Sequence, residues 1–98
     1  MIVYEVTLQV EPALAGQVEA HMRGEHIPAI AAAGCFQQIY FDRASPARFR
    51  TRYFAASQSD LDRYLEQHAP RLRAEFQARF PVGVTLTRET WSILQSWA

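Results

Sequence analysis

Hydrophobic and polar residues alternate at the start of the chain. The segment from Ile2 to Val10 has this period of two, which predicts a half-buried β-strand with its even-numbered residues facing the core. Leu14, Val18 and Met22 then recur every four residues, which predicts a helix with Pro12 in its first turn. The chain therefore begins with a strand followed by an amphipathic helix.

Glycine and proline interrupt this helical pattern. Gly24 and Pro28 predict a break or kink at Glu25–His26–Ile27, because the residue before a proline avoids the α-helical region. A shorter helical piece from Pro28 to Ala33 is predicted to stop at Gly34. We therefore expect the first helical region in two pieces.

Three further strands are predicted. The segments from Phe36 to Arg43 and from Arg48 to Ala56 form a hairpin, because Ala44–Ser45–Pro46–Ala47 between them has the composition of a turn. The segment from Val84 to Leu94 is rich in β-branched residues and predicts the last strand.

A second amphipathic helix lies before that strand. Ser59 followed by Asp62 resembles a capping box at its start, and the helix is expected to kink at Pro70 and to end at Phe80–Pro81. Its stripe consists of Leu61, Leu65, His68, Leu72 and Phe76. The order βαββαβ predicts a single α+β domain over residues 1–98, a ferredoxin-like sandwich of a four-stranded antiparallel sheet with two helices on one face.

Such a sandwich leaves one face of the sheet uncovered. On the first strand this face is expected to contain Val3, Glu5 and Thr7. The alternation leaves two sets open on each hairpin strand: Phe36, Gln38, Tyr40 or Gln37, Ile39, Phe41 on the first, and Phe49, Thr51, Tyr53 or Arg50, Arg52, Phe54 on the second. Exposed aromatic residues in that number indicate an interface, so we expect a homodimer through this face.

Charge and composition exclude several classes of function. Ten arginines balance ten acidic residues, and there is no lysine, so the net charge is zero and we expect neither nucleic-acid nor membrane-surface binding. Cys35 is the only cysteine, and with no signal or membrane-spanning segment it favours a cytoplasmic protein. The chain has no glycine-rich phosphate loop and no metal-ligand spacing, so no cofactor and no metal are expected.

Histidines are the strongest candidates for chemistry. His26 lies beside Glu25 at the expected helix break, where an imidazole can enter a cleft and act as acid or base; alternatively, it hydrogen-bonds the kinked backbone. His68 lies in the apolar stripe of the second helix and either meets His26 in the interior or is a buried histidine near Pro70. His21 is five residues from His26, about 140° around an α-helix, so the two do not form a metal-binding pair.

Arginine and aromatic residues form a second group of candidates. Arg50 and Arg52 share one face of their strand, where they either bind a carboxylate or phosphate or pair with Glu5 or Glu89. Three aromatic residues either line a pocket for a planar ligand or form core or dimer contacts. They are Tyr40, Tyr53 and Trp91.

Several motifs together resemble a known family. They are the opening strand M-I-V-Y-E-V-T, the sequence E-H-I-P-A-I at the first helix's kink, and H-A-P-R-L-R and R-F-P on the second helix. This set is similar to a small bacterial family of unknown function in the dimeric α/β-barrel, ferredoxin-like superfamily. That superfamily includes cofactor-free monooxygenases, haem-degrading enzymes, lactone isomerases and proteins without known activity, with ligands commonly held between sheet and helices.

The resemblance implies a homodimer and a pocket near His26 and His68, and it transfers no catalytic role. Where the family has a tryptophan one turn before the Glu–His pair, this chain has His21. Two hypotheses follow. The first is a protein that binds or transforms a small organic molecule through His26, and the second is a non-catalytic dimerisation, interaction or regulatory module.

Overall fold

Four antiparallel strands form one sheet. The computed structural model describes all 98 residues, and its strands are β1 (Ile2–Val10), β2 (Gln38–Ser45), β3 (Arg48–Ala55) and β4 (Val84–Ser92). They lie in the order β2-β3-β1-β4. The two helical regions connect β1 to β2 and β3 to β4, and neither of these pairs is adjacent in the sheet. Each helical connection therefore passes over the sheet. The predicted α+β ferredoxin-like fold is confirmed.

Four strand ends differ from the prediction: β2 begins at Gln38 and extends to Ser45, β3 ends one residue early at Ala55, and β4 ends at Ser92. The second strand begins at Gln38 because Phe36 packs on Tyr53 and Tyr64 instead, with ring centroids 5.1 and 5.0 Å away. The last strand ends at Ser92, which pairs with the first residue of β1, so no strand residue remains to pair with the positions that follow.

The first helical region is continuous. It consists of a short 3-10 turn (Pro12–Leu14), α1 (Ala15–His21), a five-residue π-turn (Met22–His26) and α2 (Ile27–Ala32). The α-helix is interrupted near the predicted position, but by a π-turn and not by a break, since the residue before Pro28 has φ −65° and ψ −43°. In an α-helix the proline ring would meet the carbonyl of Gly24, and the wider π-turn displaces that carbonyl. Gly34, at φ 75°, follows the end of α2 as predicted.

The second helical region divides at His68 into α3 (Gln58–Gln67) and α4 (Ala69–Arg79), with Pro70 in the first turn of α4. The predicted capping residue is wrong by two positions. Ser57 precedes the helix with extended backbone, and its hydroxyl accepts a hydrogen bond from the Asp60 N–H at 3.2 Å. This position satisfies one of the free N–H groups of the first turn.

The core lies between the sheet and the helices, and this packing decides which strand residues face which way. Phe49, Thr51 and Tyr53 are buried on the helix side, so the alternating residues of β3 lie on the open face of the sheet. Those residues are Arg50, Arg52 and Phe54, opposite Thr7, Glu5 and Val3 of β1. Tyr40 pairs with Arg52 and lies on the open face too.

Two remaining features bear on the sequence-based expectations. Cys35 is a buried free thiol in the core. None of the helices combines the length and hydrophobicity that crossing a bilayer requires.

Candidate functional site

A cavity of about 390 Å³ lies between the sheet and the helices. Its sheet side is lined by Tyr4, Val6, Leu8, Tyr53, Leu86 and Arg88, and its helix side mainly by Met22, His26, Ile30, Tyr64, Arg73 and Phe76. Small-molecule sites commonly have volumes of about 300 to 1,000 Å³ with largely apolar walls and a few polar groups. The cavity has this size and composition.

His26 reaches the cavity from the π-turn. Its ring meets the ring of Phe76 edge-on, with centroids 5.4 Å apart. Burial first, and then the nearby charge of His21, lower the pKa of His26 to about 4, while Glu75 acts in the opposite direction. The imidazole is therefore neutral at pH 7 and presents one donor and one acceptor nitrogen.

The π-turn brings two histidines together. We expected His21 and His26 on different sides of an α-helix, but a π-turn has more residues per turn, and the ring centroids are 6.1 Å apart. The His21 Nδ1–H donates to the carboxylate of Glu25 at 2.6 Å. The Glu25 side chain is exposed and contacts His21, and it does not line the cavity. Glu25 is thus hydrogen-bonded to His21 and has no such bond to His26.

Phenol groups form one polar part of the cavity wall. Burial raises the pKa of Tyr64 to about 12 and that of Tyr53 still further, so both are neutral hydrogen-bond donors. The hydroxyl of Tyr4 accepts a hydrogen bond from Nη2 of Arg73 at 2.8 Å. The cavity therefore offers hydrogen-bond donors to an oxygen atom of a ligand.

The structure separates the other sequence-derived candidates from this cavity. His68 stacks on Tyr64, with centroids 6.4 Å apart, and does not line the cavity. Of the three aromatic residues considered for one pocket, Tyr53 lines the cavity, whereas Tyr40 and Trp91 lie on the open face. They do not form one pocket, because the register of the strands places them on opposite sides of the sheet.

Arg50 and Arg52 share the open face as expected, but their predicted partners are wrong. Both donate to Asp42, at 3.1 and 2.8 Å. Asp42 lies directly opposite Arg50 on β2, and the Arg52 guanidinium stands over the Tyr40 ring at 4.9 Å. These contacts hold both arginines on the open face, away from His26.

Five residues with polar groups line the cavity without having been predicted as site residues, namely Tyr4, Tyr64, Arg73, Gln77 and Arg88. One signal was present in β4. Val84, Leu86 and Arg88 alternate toward the helices, so an arginine occupies a position where the pattern calls for an apolar residue. An arginine directed toward the interior indicates a polar site.

The chain matches the model of one protein family over most of its length. The model of the family described as "Domain of unknown function (DUF4286)" matches residues 1–93. The chain belongs to this family. The predicted membership of a family of unknown function with this fold is thereby confirmed. No curated protein is similar to this DUF4286 chain.

Solved structures share the fold of the DUF4286 chain. A provisionally assigned antibiotic biosynthesis monooxygenase from Deinococcus radiodurans has a TM-score of 0.73 at 14% identity, covering 100% of this chain and 97% of its own. SnoaB, a cofactor-independent oxygenase from Streptomyces nogalater, has a TM-score of 0.68 at 14% identity over 97% and 94%. NE2512, a protein of unknown function from Nitrosomonas europaea, has 0.68 at 14% over 99% and 94%. At this identity the similarity is one of fold.

Proposed function

We propose that the cavity binds a small organic molecule and that His26 exchanges a proton with it. The observation that carries the proposal is that His26 lines the cavity with a neutral imidazole. Burial and nearby charge, and no hydrogen bond, account for its lowered pKa. With a pKa of about 4, the His26 imidazole is a weak base while no ligand is bound. Negative charge developing on a bound molecule would raise that pKa, because a nearby anion favours imidazolium.

The shared fold supports chemistry without a cofactor. SnoaB is a cofactor-independent oxygenase with the same fold, and the cavity of this chain contains tyrosine, histidine and arginine side chains that can move protons and stabilise charge. We therefore propose an acid–base reaction carried out by side chains, with no cofactor.

A cavity-blocking variant tests whether the cavity is the site. Purified protein is melted with flavins, haem, quinones, aromatic acids and divalent metals, and a ligand at 100 times its dissociation constant should raise Tm by about 10 °C. Ala74→Trp fills the cavity and should abolish the shift. Ala78→Trp, one turn further along α4 and outside the cavity, should retain it. No shift with any compound, or equal shifts in both variants, would contradict the proposal.

A second candidate function rests on the open face of the sheet. This face carries exposed aromatic side chains, with Tyr40 45% and Trp91 52% exposed. Its charges are also divided, because Glu5 and Glu89 lie opposite each other on β1 and β4, while β3 carries arginines. We propose that a second copy of the chain covers this face.

A cytoplasmic location stays a prediction.

The division of charge suits one arrangement of two copies. A two-fold axis parallel to the strands places β1 and β4 of one copy over β3 and β2 of the other, so that acidic residues face arginines. Trp91→Arg should convert a dimer to a monomer in light scattering, whereas Val82→Arg, an exposed loop residue outside the sheet, should not. A wild-type monomer at micromolar concentration would contradict this proposal. If Trp91→Arg abolishes dimerisation while no compound binds the cavity, an interaction module is favoured.

A further inference from the structure

Two arginines at the cavity have no carboxylate partner. The arginines that form ion pairs are Arg23, Arg43, Arg50, Arg52, Arg63 and Arg71. Arg73 and Arg88 are absent from these pairs, yet both line the cavity and both are exposed to solvent. They therefore lie at the rim, where a guanidinium can meet a ligand that enters from solution.

Arg73 and Arg88 line the cavity from two different elements. Arg73 comes from α4 and Arg88 from β4. The positive charges of both arginines favour the ionised form of the Tyr64 phenol, although burial dominates and raises its pKa. Tyr64 lines the same cavity, so both charges act on the region of the wall that carries this phenol.

Tyr4 completes this region. Its oxygen accepts the hydrogen bond from Arg73, so its own hydrogen remains available to a ligand. A planar guanidinium matches the two oxygens of a carboxylate or a phosphate and forms charge-assisted hydrogen bonds to them. Two arginines and one phenol thus supply donors to a compact oxyanion.

We infer that the natural ligand carries a compact oxyanion, a carboxylate or a phosphate monoester, which Arg73, Arg88 and the Tyr4 hydroxyl bind at the rim. Its apolar body then contacts Met22, Ile30 and other apolar residues of the wall. This inference rests on the proposed function of the cavity. It also places negative charge in the cavity that His26 lines, where that charge favours the imidazolium form.

Matched aromatic probes test this inference. Dissociation constants of naphthoate, naphthyl phosphate and neutral naphthamide, all substituted at the same ring position, are measured by calorimetry on the wild type. One of the two anions should bind at least about tenfold more tightly than the amide, because a charge-assisted hydrogen bond contributes that much. The tighter anion identifies which oxyanion the site accepts.

Single substitutions locate the effect. Arg73→Gln and Arg88→Gln should each remove most of the preference for the anion, while Arg79→Gln should retain it. Arg79 is a suitable control because it lies on α4, has no carboxylate partner and does not line the cavity. Equal affinity for amide and anions would overturn the inference and leave the proposed function intact. Binding of no probe would contradict both, and anion binding that survives Ala74→Trp would overturn the inference.

Discussion

Protonation of His26 should destabilise the folded protein, and the size of the effect follows from its burial. The pKa falls from 6.5 to about 4 on folding. At about 1.4 kcal/mol for each unit this corresponds to roughly 3 kcal/mol, and partial exposure of the ring reduces it to about 2 kcal/mol. Because the folded-state pKa is the lower one, the unfolded chain binds more protons between these two values. Stability is therefore complete above pH 6.5 and is lost as the pH falls toward 4.

Urea unfolding across that pH range measures the loss directly. Replacing His26 by glutamine should flatten the pH profile by about 2 kcal/mol relative to the wild type, or by about 10 °C in Tm for a domain of this size. His68→Gln, which removes a histidine outside the cavity, should leave the profile unchanged. All other titratable groups are common to the wild type and His26→Gln, so the difference between their profiles reports on His26 together with its interaction with His21. Parallel profiles for wild type and His26→Gln, or an NMR titration of the His26 ring with a midpoint near 6.5, would refute the reasoning.

Two further pairs of substitutions test the local structure. Ser57→Ala should cost about 1 kcal/mol in urea unfolding by removing the cap of α3, whereas Ser59→Ala should cost a few tenths; the reverse order would show that the cap lies at the later serine. Gly83→Ala should destabilise by more than 1 kcal/mol, because the residue has φ +90° and a Cβ atom would lie 2.6 Å from Leu14 Cδ1. Gly24→Ala meets no atom within 4 Å and should be neutral or stabilising, and a comparable loss in both variants would exclude steric strain as the cause.

Periodicity predicted the element order because strand and helix patterns differ so clearly in this chain. The alternation over Ile2–Val10 and the four-residue spacing of Leu14, Val18 and Met22 each correspond to an observed element. Periodicity could not choose the buried face of β3, since one set contains Phe49 and Tyr53 and the other also contains an aromatic residue. Contacts with the helices decide that question, and a single strand carries no information about them.

The candidate site was predicted only in part for a similar reason. His26 could be singled out from its position beside Glu25 at an expected helix break, but its contact with His21 depends on a π-turn. Residue preferences do not signal that turn, and α-helical geometry predicts the opposite. Arg73 lies on an exposed helix surface and has no local pattern to distinguish it from Arg71, whose partner is Glu75. Only the approach of β4 and α4 in three dimensions gives Arg73 its place beside the cavity.

The π-turn also affects how relatives of this chain should be compared. A turn that closes with five residues contains one residue more than an α-helical turn needs, so it is equivalent to a one-residue insertion between His21 and Pro28. A family member without that residue would have its preceding helix rotated by about 100° relative to this one. A different side chain would then meet the residue equivalent to His26. Within the family, the length of this turn and the identity of its residues therefore both determine which side chain contacts the histidine equivalent to His26.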